Sequence, residues 1–464
     1  MARIRKKITR KKSQKTPKRK VSKRTRPRKL SKTKISNKTC KSSKPTKFQA
    51  PKGTSDILPE DQRYWERVRG IIKQLAYAYG FSFIETPILE DAQLFVKGTG
   101  NVTDIVQKEM YTLRTKGGDC LALRPEFTPS IVRAYIEHGM KNRPQPVKLC
   151  SLGPVFRHEK PQAGRFRQFH QLNLEIIGDL GAINDVLLIQ FIYLILKKLS
   201  IKGILVHVNN IGCPECRPNY RKLLVDYYRK QSRKLCRHCK ERLKLNPLRL
   251  LDCKEEKCKQ LANNAPQAID YLCEECHSHF KEVLESLDEL EIPYILDAHL
   301  VRGLDYYTKT VFEFRLEDAN ILELGGGGRY DKLVELLGGK PTPAVGVAMG
   351  MERIIMALKR QDIKIPQEIL PRLFLVQLGD LARRKSLKLF EELRSKGLRV
   401  TEALSKNSIK SQLKTADKLN VDLALILGQK EALENNIIIR DMKSGAQETV
   451  SLDKVVREVR RRLK

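Results

Sequence analysis

Apolar residues recur at helical spacing from Asp61 to Tyr79 and stop at Gly80, which predicts an amphipathic helix closed by a glycine. FSFIETPIL follows at once and reads as a strand ended by Pro87. KEMYTLRTKGGDCLALRPEFTPSIVRAYIEHG has the pattern of a hairpin turning at Gly117 and Gly118, then a helix that opens near Thr128 and Pro129. The stretch from Phe156, FRHEKPQAGRFRQFHQLNLEIIG, predicts strand, basic loop, strand. In the second strand the period of two puts Gln171, Asn173 and Glu175 on one face. Antiparallel strand signals resume at Tyr294, continue through TVFEF, and end in a glycine run and a helix after Pro343.

From Arg372 the rhythm changes. LFLVQLG is a buried strand, Ser386 to Lys396 a helix, LRVTEAL a strand, Ser408 to Leu419 a helix and DLALILG another strand. That alternation predicts a small α/β domain over residues 370–464.

The chain's 464 residues, 41% of them hydrophobic, are enough for several buried cores. The longest apolar run, Val186 to Leu196, is interrupted by Gln190 and is shorter than the roughly 20 residues of a membrane span. No membrane partner is expected. Net charge is +37, yet residues 1–47 alone hold 22 Lys and Arg and no Asp or Glu, so the remainder carries 37 − 22 = +15. Residues 1–48 therefore read as a disordered basic tail, too poor in large apolar side chains to offset its ordering entropy. Such a run suits nucleic acid through counterion release, or serves as a solubilising or localising extension. Eleven cysteines with no hydrophobic signal segment fit reduced thiols and a cytoplasmic location.

Eight of those cysteines crowd into one lysine-rich stretch, which marks an insertion over residues 210–290. They form four close pairs: Cys213 with Cys216, Cys236 with Cys239, Cys253 with Cys258, and Cys273 with Cys276. Two tetrahedral four-thiolate zinc sites would use all eight, with His238, His277 and His279 as possible substitutes. Taken in chain order, the first two pairs would share one ion and the last two the other. Metal would supply much of the folding energy of a segment so short of large apolar residues.

The arginine-rich loop after Phe156 suits a polyphosphate, because guanidinium groups are planar, always charged and bidentate; the same loop could hold RNA. The stretch closely resembles motif 2 of class II aminoacyl-tRNA synthetases in the form found in histidyl-tRNA synthetases. YGFSFIETPILE resembles motif 1, LRPEFT the substrate-binding turn, LVRGLDYYTKTVFEF and GGGGRYDKLVELLGG the two histidine-specific motifs, and AVGVAMGMERI motif 3. SLKLFEELRSKGLRV and the segment after it resemble the family's anticodon-binding domain. The likeness covers nearly everything from about Pro51 onward.

The resemblance implies an α+β fold: the class II antiparallel sheet flanked by helices over 49–368, a cysteine-rich insertion, and a C-terminal α/β anticodon-binding domain. It implies that Arg157 grips the ATP α-phosphate, that Arg302 is catalytic on the opposite side, and that Arg353 reaches the γ-phosphate. Glu126, Phe127, Thr128, Gln171, Glu175, Arg302, Tyr306, Tyr307 and Tyr330 are expected around L-histidine. Phe127 stands where many relatives carry a small glycine, which bears on the shape of the pocket entrance. His158 and His170 carry no proton-transfer role and are expected as loop or RNA contacts. The implied activity is histidine–tRNA ligation with ATP and Mg2+, in a homodimer that binds histidine tRNA, with structural zinc in the insertion. Two alternatives follow from the same fold: a regulatory paralogue of histidine biosynthesis, and a non-catalytic RNA-binding protein. The retained Arg302 motif and C-terminal domain count against the first, and the three arginines against the second.

Overall fold

The computed structural model describes residues 48–317, 323–366 and 372–463. The basic tail expected over 1–48 lies almost wholly outside them. The amphipathic pattern after Leu58 becomes helix α1 (Pro59–Ala78), and FSFIETPIL splits into β1 (Ser82–Phe83) and the first residue of the next strand, the irregular stretch around Pro87 interrupting the pairing. A small three-stranded sheet follows, from β2 (Leu89–Asp91), β3 (Thr112–Arg114) and β4 (Cys120–Leu123), with helix α2 (Ala92–Thr99) between and α3 (Thr128–Glu137) after it. The hairpin turn at Gly117 and Gly118 is where the sequence places it.

The main sheet has eight strands. Its long hairpin is β5 (Val147–Phe156) with β6 (Gln168–Ile177), followed by helix α4 (Ile183–Lys198) and β7 (Ile204–Asn210). The insertion contributes helices α5 (Arg217–Lys230), α6 (Arg237–Leu245), α7 (Glu256–Asn263) and α8 (Glu274–Glu289). The chain returns through β8 (Tyr294–Leu296), β9 (Thr308–Leu316), β10 (Gly325–Arg329), the one-turn helix α9 (Leu333–Leu336), β11 (Ala344–Gly350) and helix α10 (Met351–Arg360). Strand order is β1-β5-β6-β11-β10-β9-β7-β8, antiparallel except for the outermost pairs β1–β5 and β7–β8.

Two expectations are corrected here. The segment at Tyr294 pairs in parallel, and both the glycine run and AVGVAMG are central strands, the helix beginning only at Met351. Glycines are required at this centre: a Cβ on Gly327 would stand 2.1 Å from the carbonyl oxygen of Gly346.

The period of two then divides the sheet's faces. Leu172, Leu174, Ile176, Phe312, Phe314, Val345, Val347 and Met349 pack with α1, α4, α8 and α10 in the largest core. The other face receives Gln171, Asn173, Glu175, Glu313, Gly346 and Gly350. One face holds the fold together and the other is left for chemistry.

The last block is a five-stranded sheet, ordered β13-β12-β14-β15-β16, from β12 (Leu373–Gln377), β13 (Val400–Glu402), β14 (Leu423–Leu427), β15 (Asn436–Asp441) and β16 (Gln447–Ser451). Helices α11 (Asp380–Ser395), α12 (Ile409–Lys418), α13 (Gln429–Leu433) and α14 (Val455–Arg462) complete it. Its first three strands are parallel, as the alternation predicts; the closing hairpin of β15 and β16 was not read from the sequence. Among the described residues no helix is long and apolar enough to cross a membrane.

Candidate active site and thiolate clusters

A cleft of about 1010 Å³ opens on the polar face of the main sheet. Arg157, Arg302 and Arg353 all line it, together with Glu126, Thr128, Gln171, Tyr306, Tyr307 and Tyr330. Residues separated by some two hundred positions are thus brought to one cavity.

Each arginine is aimed by a specific partner. Arg157 follows directly on β5; its Nε donates to the carbonyl of Pro125 at 2.9 Å, and its guanidinium lies 5.5 Å from the ring of Phe169. Arg302 is held from two sides, its Nη1 donating to Glu313 at 3.0 Å and to Glu323 at 3.1 Å. The two carboxylates outweigh the burial of Arg302, so its charge is retained. Arg353, in the first turn of α10, donates to the carbonyls of Gly164 and Glu323, tying the basic loop to the start of β10. That loop is braced internally by Arg165 on Glu159 at 3.0 Å and from outside by Arg167 N–H on the Gly53 carbonyl at 2.7 Å.

Beside the arginines lies a pocket built of tyrosines and acceptors. The Tyr306 ring lies tilted 4.6 Å from that of Tyr307 and edge-on 5.6 Å from that of Tyr330, and its hydroxyl donates to Glu126 Oε2 at 2.9 Å. Burial pushes the Glu126 carboxyl up to about 7, against the pull of Arg157 and Tyr306. Glu126 Oε1 and Gln171 Oε1 are buried acceptors with no donor among the described residues. Such atoms cost free energy when unpaired, on the order of 1–3 kcal/mol each, so their concentration in a pocket marks where a ligand's N–H groups belong.

Three expected residues are placed differently from the sequence reading. Glu175 does not line the cleft; it lies one layer deeper and fully buried, accepting from Thr128 Oγ1 at 2.7 Å, Asn173 Nδ2 at 2.8 Å and the Tyr330 hydroxyl. Room for its carboxylate comes from Gly346 opposite, where a Cβ would sit 1.7 Å from Oε2. Phe127 turns into the core, where the Arg124 guanidinium covers its ring at 4.1 Å. His170 is no loop contact: its ring and backbone N–H both engage Glu352 of α10, at 2.9 Å, and its ring meets Trp65 edge-on. His158 does sit on the loop, edge-on to Tyr111.

Sequence reasoning missed Glu313 and Glu323, which hold Arg302, and Arg315, which in turn holds Glu313 at 2.6 Å. A signal existed for the first: TVFEF buries a lone carboxylate within an apolar strand. It also missed that Arg242, Arg249 and Lys254 of the insertion form the far wall of the cleft.

The eight cysteines form two clusters of four, each with its sulfur atoms within 4.8 Å of one another. Chain-order pairing is corrected: Cys213, Cys216, Cys273 and Cys276 form one cluster, and Cys236, Cys239, Cys253 and Cys258 the other. The reason is that an insertion's entry and exit must meet where the host strands resume, so its outer pairs close its neck and the inner pairs staple its interior. Sulfur separations of 3.8 Å (Cys213 to Cys216 and to Cys273) and 3.9 Å (Cys216 to Cys276, Cys236 to Cys253) are far beyond a disulfide's roughly 2.05 Å. They match the edge of a tetrahedron with metal–sulfur bonds of about 2.3 Å. His279, offered as a substitute ligand, instead faces Thr310 and Asp185.

Comparison with known proteins agrees with this geometry. Residues 53–354 match the family model described as histidyl-tRNA synthetase, and 373–462 match an anticodon-binding domain. A Dehalococcoides mccartyi protein named histidine–tRNA ligase is 47% identical over 418 residues, which span 90% of this chain and all of that one. One of the same name from Acetivibrio thermocellus is 45% identical over 88% of this chain and 98% of its own length. The crystal structure of apo Staphylococcus aureus histidyl-tRNA synthetase superposes with a TM-score of 0.73 at 34% identity, covering 89% of this chain and 99% of that one. With a family model covering most of its length, relatives near half identical throughout, and three arginines converging on a tyrosine-lined pocket, the chain belongs to the histidyl-tRNA synthetase family.

Proposed function

We propose that this cleft activates L-histidine with ATP and transfers it to the 3′ end of histidine tRNA. The observation that carries the reading is the juxtaposition of Arg157, Arg302 and Arg353 with a pocket whose spare groups, Glu126 Oε1 and Gln171 Oε1, are acceptors. ATP with its Mg2+ enters as substrate on the arginine side. The histidine ammonium takes the spare oxygens of Glu126 and Gln171, and the imidazole lies among Tyr306, Tyr307 and Tyr330. The histidine carboxylate attacks the α-phosphorus, pyrophosphate leaves, and Arg157 and Arg302 meet the charge that grows on the phosphoryl oxygens with donors already in place. The terminal ribose hydroxyl of the tRNA then attacks the acyl carbon and releases AMP. Glu175 acts from behind, fixing Thr128 and Tyr330. Burial pushes its carboxyl up to about 8, so it is largely protonated near neutral pH.

Residues 373–462 bind the anticodon in this reading, and exposed Phe83, Ile88, Leu89 and Leu113 supply the apolar surface for a homodimer. The two thiolate clusters hold one structural zinc each. The basic residues 1–47 add charge for RNA, and the enzyme works in the cytoplasm. Neither the regulatory nor the non-catalytic alternative explains why Glu313 and Glu323 hold a buried arginine in an otherwise complete cleft. The test is exchange of labelled pyrophosphate into ATP: it should depend on histidine and no other amino acid, and Arg302→Ala should abolish it while tRNA binding persists. Unchanged exchange in that variant would remove Arg302 from the chemistry.

A further inference from the structure

β9 does not run straight into the pocket. Its register against β10 jumps, Gly328 facing Val311 and Arg329 facing Thr308, so Lys309 and Thr310 bulge out. Lys309 has φ +50°, a left-handed conformation that a residue with a long side chain adopts only when its surroundings enforce it. Bulges of this kind re-aim side chains beside active sites, and Tyr307 and Tyr306 lie only two and three residues before Lys309.

What enforces the bulge is the neck of the insertion. The Lys309 N–H donates to the Gly212 carbonyl at 3.0 Å, and the Ile211 N–H donates back to the Lys309 carbonyl at 2.9 Å. Gly212 immediately precedes Cys213. The buried Lys309 ammonium bonds Glu275 at 2.6 Å, between Cys273 and Cys276. Thr310 faces His279 one turn further along α8, and Asn210 Nδ2 donates to the Cys276 carbonyl at 3.2 Å. Arg217, the first residue of α5 after Cys216, spends its guanidinium on three carbonyls: Ile211 at 3.0 Å, Gly212 at 2.8 Å and Tyr307 at 2.6 Å.

We propose that the thiolate centre of Cys213, Cys216, Cys273 and Cys276 is a positioning element for the histidine pocket, holding the Lys309 bulge and thereby Tyr306 and Tyr307, with Arg217 as the residue that joins centre to pocket. The second cluster makes no bond to the Lys309 bulge among the described residues; it orders the interior of the insertion across the cleft, where Cys236 and Cys253 line the far wall and Asn246 donates to Asp305 at 2.7 Å. The inference rests on the reading of the pocket as a histidine site and of the clusters as metal centres. It assigns the two ions different work.

The experiment measures KM for histidine and for ATP in pyrophosphate exchange, and zinc per chain by mass spectrometry, on the full chain and four variants. Arg217→Ala and Cys273→Ser should raise the histidine KM about tenfold, the scale of one charge-assisted hydrogen bond, with the ATP KM held within about twofold. Arg217→Lys, which keeps a donor, should recover part of the loss. Cys258→Ser should lower zinc content while leaving the histidine KM within about twofold. A histidine KM unmoved in both Arg217→Ala and Cys273→Ser, or an ATP KM rising in step with it, overturns the proposal. A parent without zinc refutes the metal reading and the role given to the ion. A parent without histidine-dependent exchange refutes the pocket reading and this inference with it.

Discussion

Gly346→Ala is a one-carbon change whose consequence is set by the pocket floor. The new Cβ would stand 1.7 Å from Glu175 Oε2, 2.6 Å from Cδ and 3.1 Å from Oε1, so the whole carboxylate must move. Oε2 is the atom that accepts the Tyr330 hydroxyl, and Glu175 is fully buried on a central strand, with no solvent to retreat into. Forced overpacking costs about 1–3 kcal/mol. Losing the Tyr330 bond leaves buried groups unsatisfied and adds about 1–3 kcal/mol. The expected loss of stability is therefore roughly 2–6 kcal/mol. The chain's single tryptophan, Trp65, is buried in the core beneath the same sheet, so its fluorescence in a urea titration reports the right unit. A displacement of about an ångström at Tyr330 should also lower kcat/KM for histidine about a hundredfold in pyrophosphate exchange. Glu175→Asp, which shortens the side chain, should restore part of the stability when combined with Gly346→Ala, because the two residues are in contact. Gly70→Ala is the control: it lies exposed in α1 with nothing within 4 Å of its Cβ, and should be neutral or stabilising by about 0.5–1 kcal/mol. A Gly346→Ala protein with the parent's urea midpoint and histidine KM would refute the packing argument.

Because Glu126 and Glu175 are raised to about 7 and about 8, the folded core holds more protons than the unfolded chain above the ordinary carboxylate range near 4.5. Its stability should fall as pH rises through that window up to about 8, and Glu175→Gln should flatten the dependence in urea titrations repeated across pH. Binding of the histidine ammonium should expel the Glu126 proton, so calorimetry near pH 6 in buffers of different ionisation heat should show proton release that Glu126→Gln reduces. Glu313→Gln should loosen Arg302 and lower the exchange kcat about tenfold with little change in histidine KM, since Glu313 touches the arginine and not the amino acid pocket. Chelation should release zinc and expose residues 213–276 to protease before the rest of the core, as digestion followed by mass spectrometry will show. Removing residues 1–47 should flatten the salt dependence of tRNA binding, a steep slope being the mark of phosphate contacts.

The parts legible in the sequence are those governed by local rules. Helix α1, the hairpin at Gly117 and Gly118, and the strand and helix alternation after Arg372 follow from period and turn chemistry, and the structure has them within a few residues. The shared face of Gln171, Asn173 and Glu175 was legible for the same reason. How deep each residue on that face would lie was not, because depth depends on Gly346, which is remote in sequence and adjacent only across a strand pair. The glycine run was illegible as a strand because glycine has poor strand propensity; three packed backbones override that preference by leaving no space for any side chain.

The cysteines make the same point about long-range order. Four similar pairs admit several pairings, and chain order is the simplest, yet the fold nests them. Nesting follows once the insertion is seen as a loop thrown out between β7 and β9, two strands that must lie side by side whatever is inserted between them. Their antiparallel register brings Asn210 against Thr310, which carries Cys213 and the bulge at Lys309 to the same spot, and the start of α8 closes onto it. The centre at the neck is thus placed beside the tyrosine segment by the sheet itself. An insertion anchored there cannot change its neck without moving the pocket, whereas its interior, stapled separately, forms the far wall of the cleft.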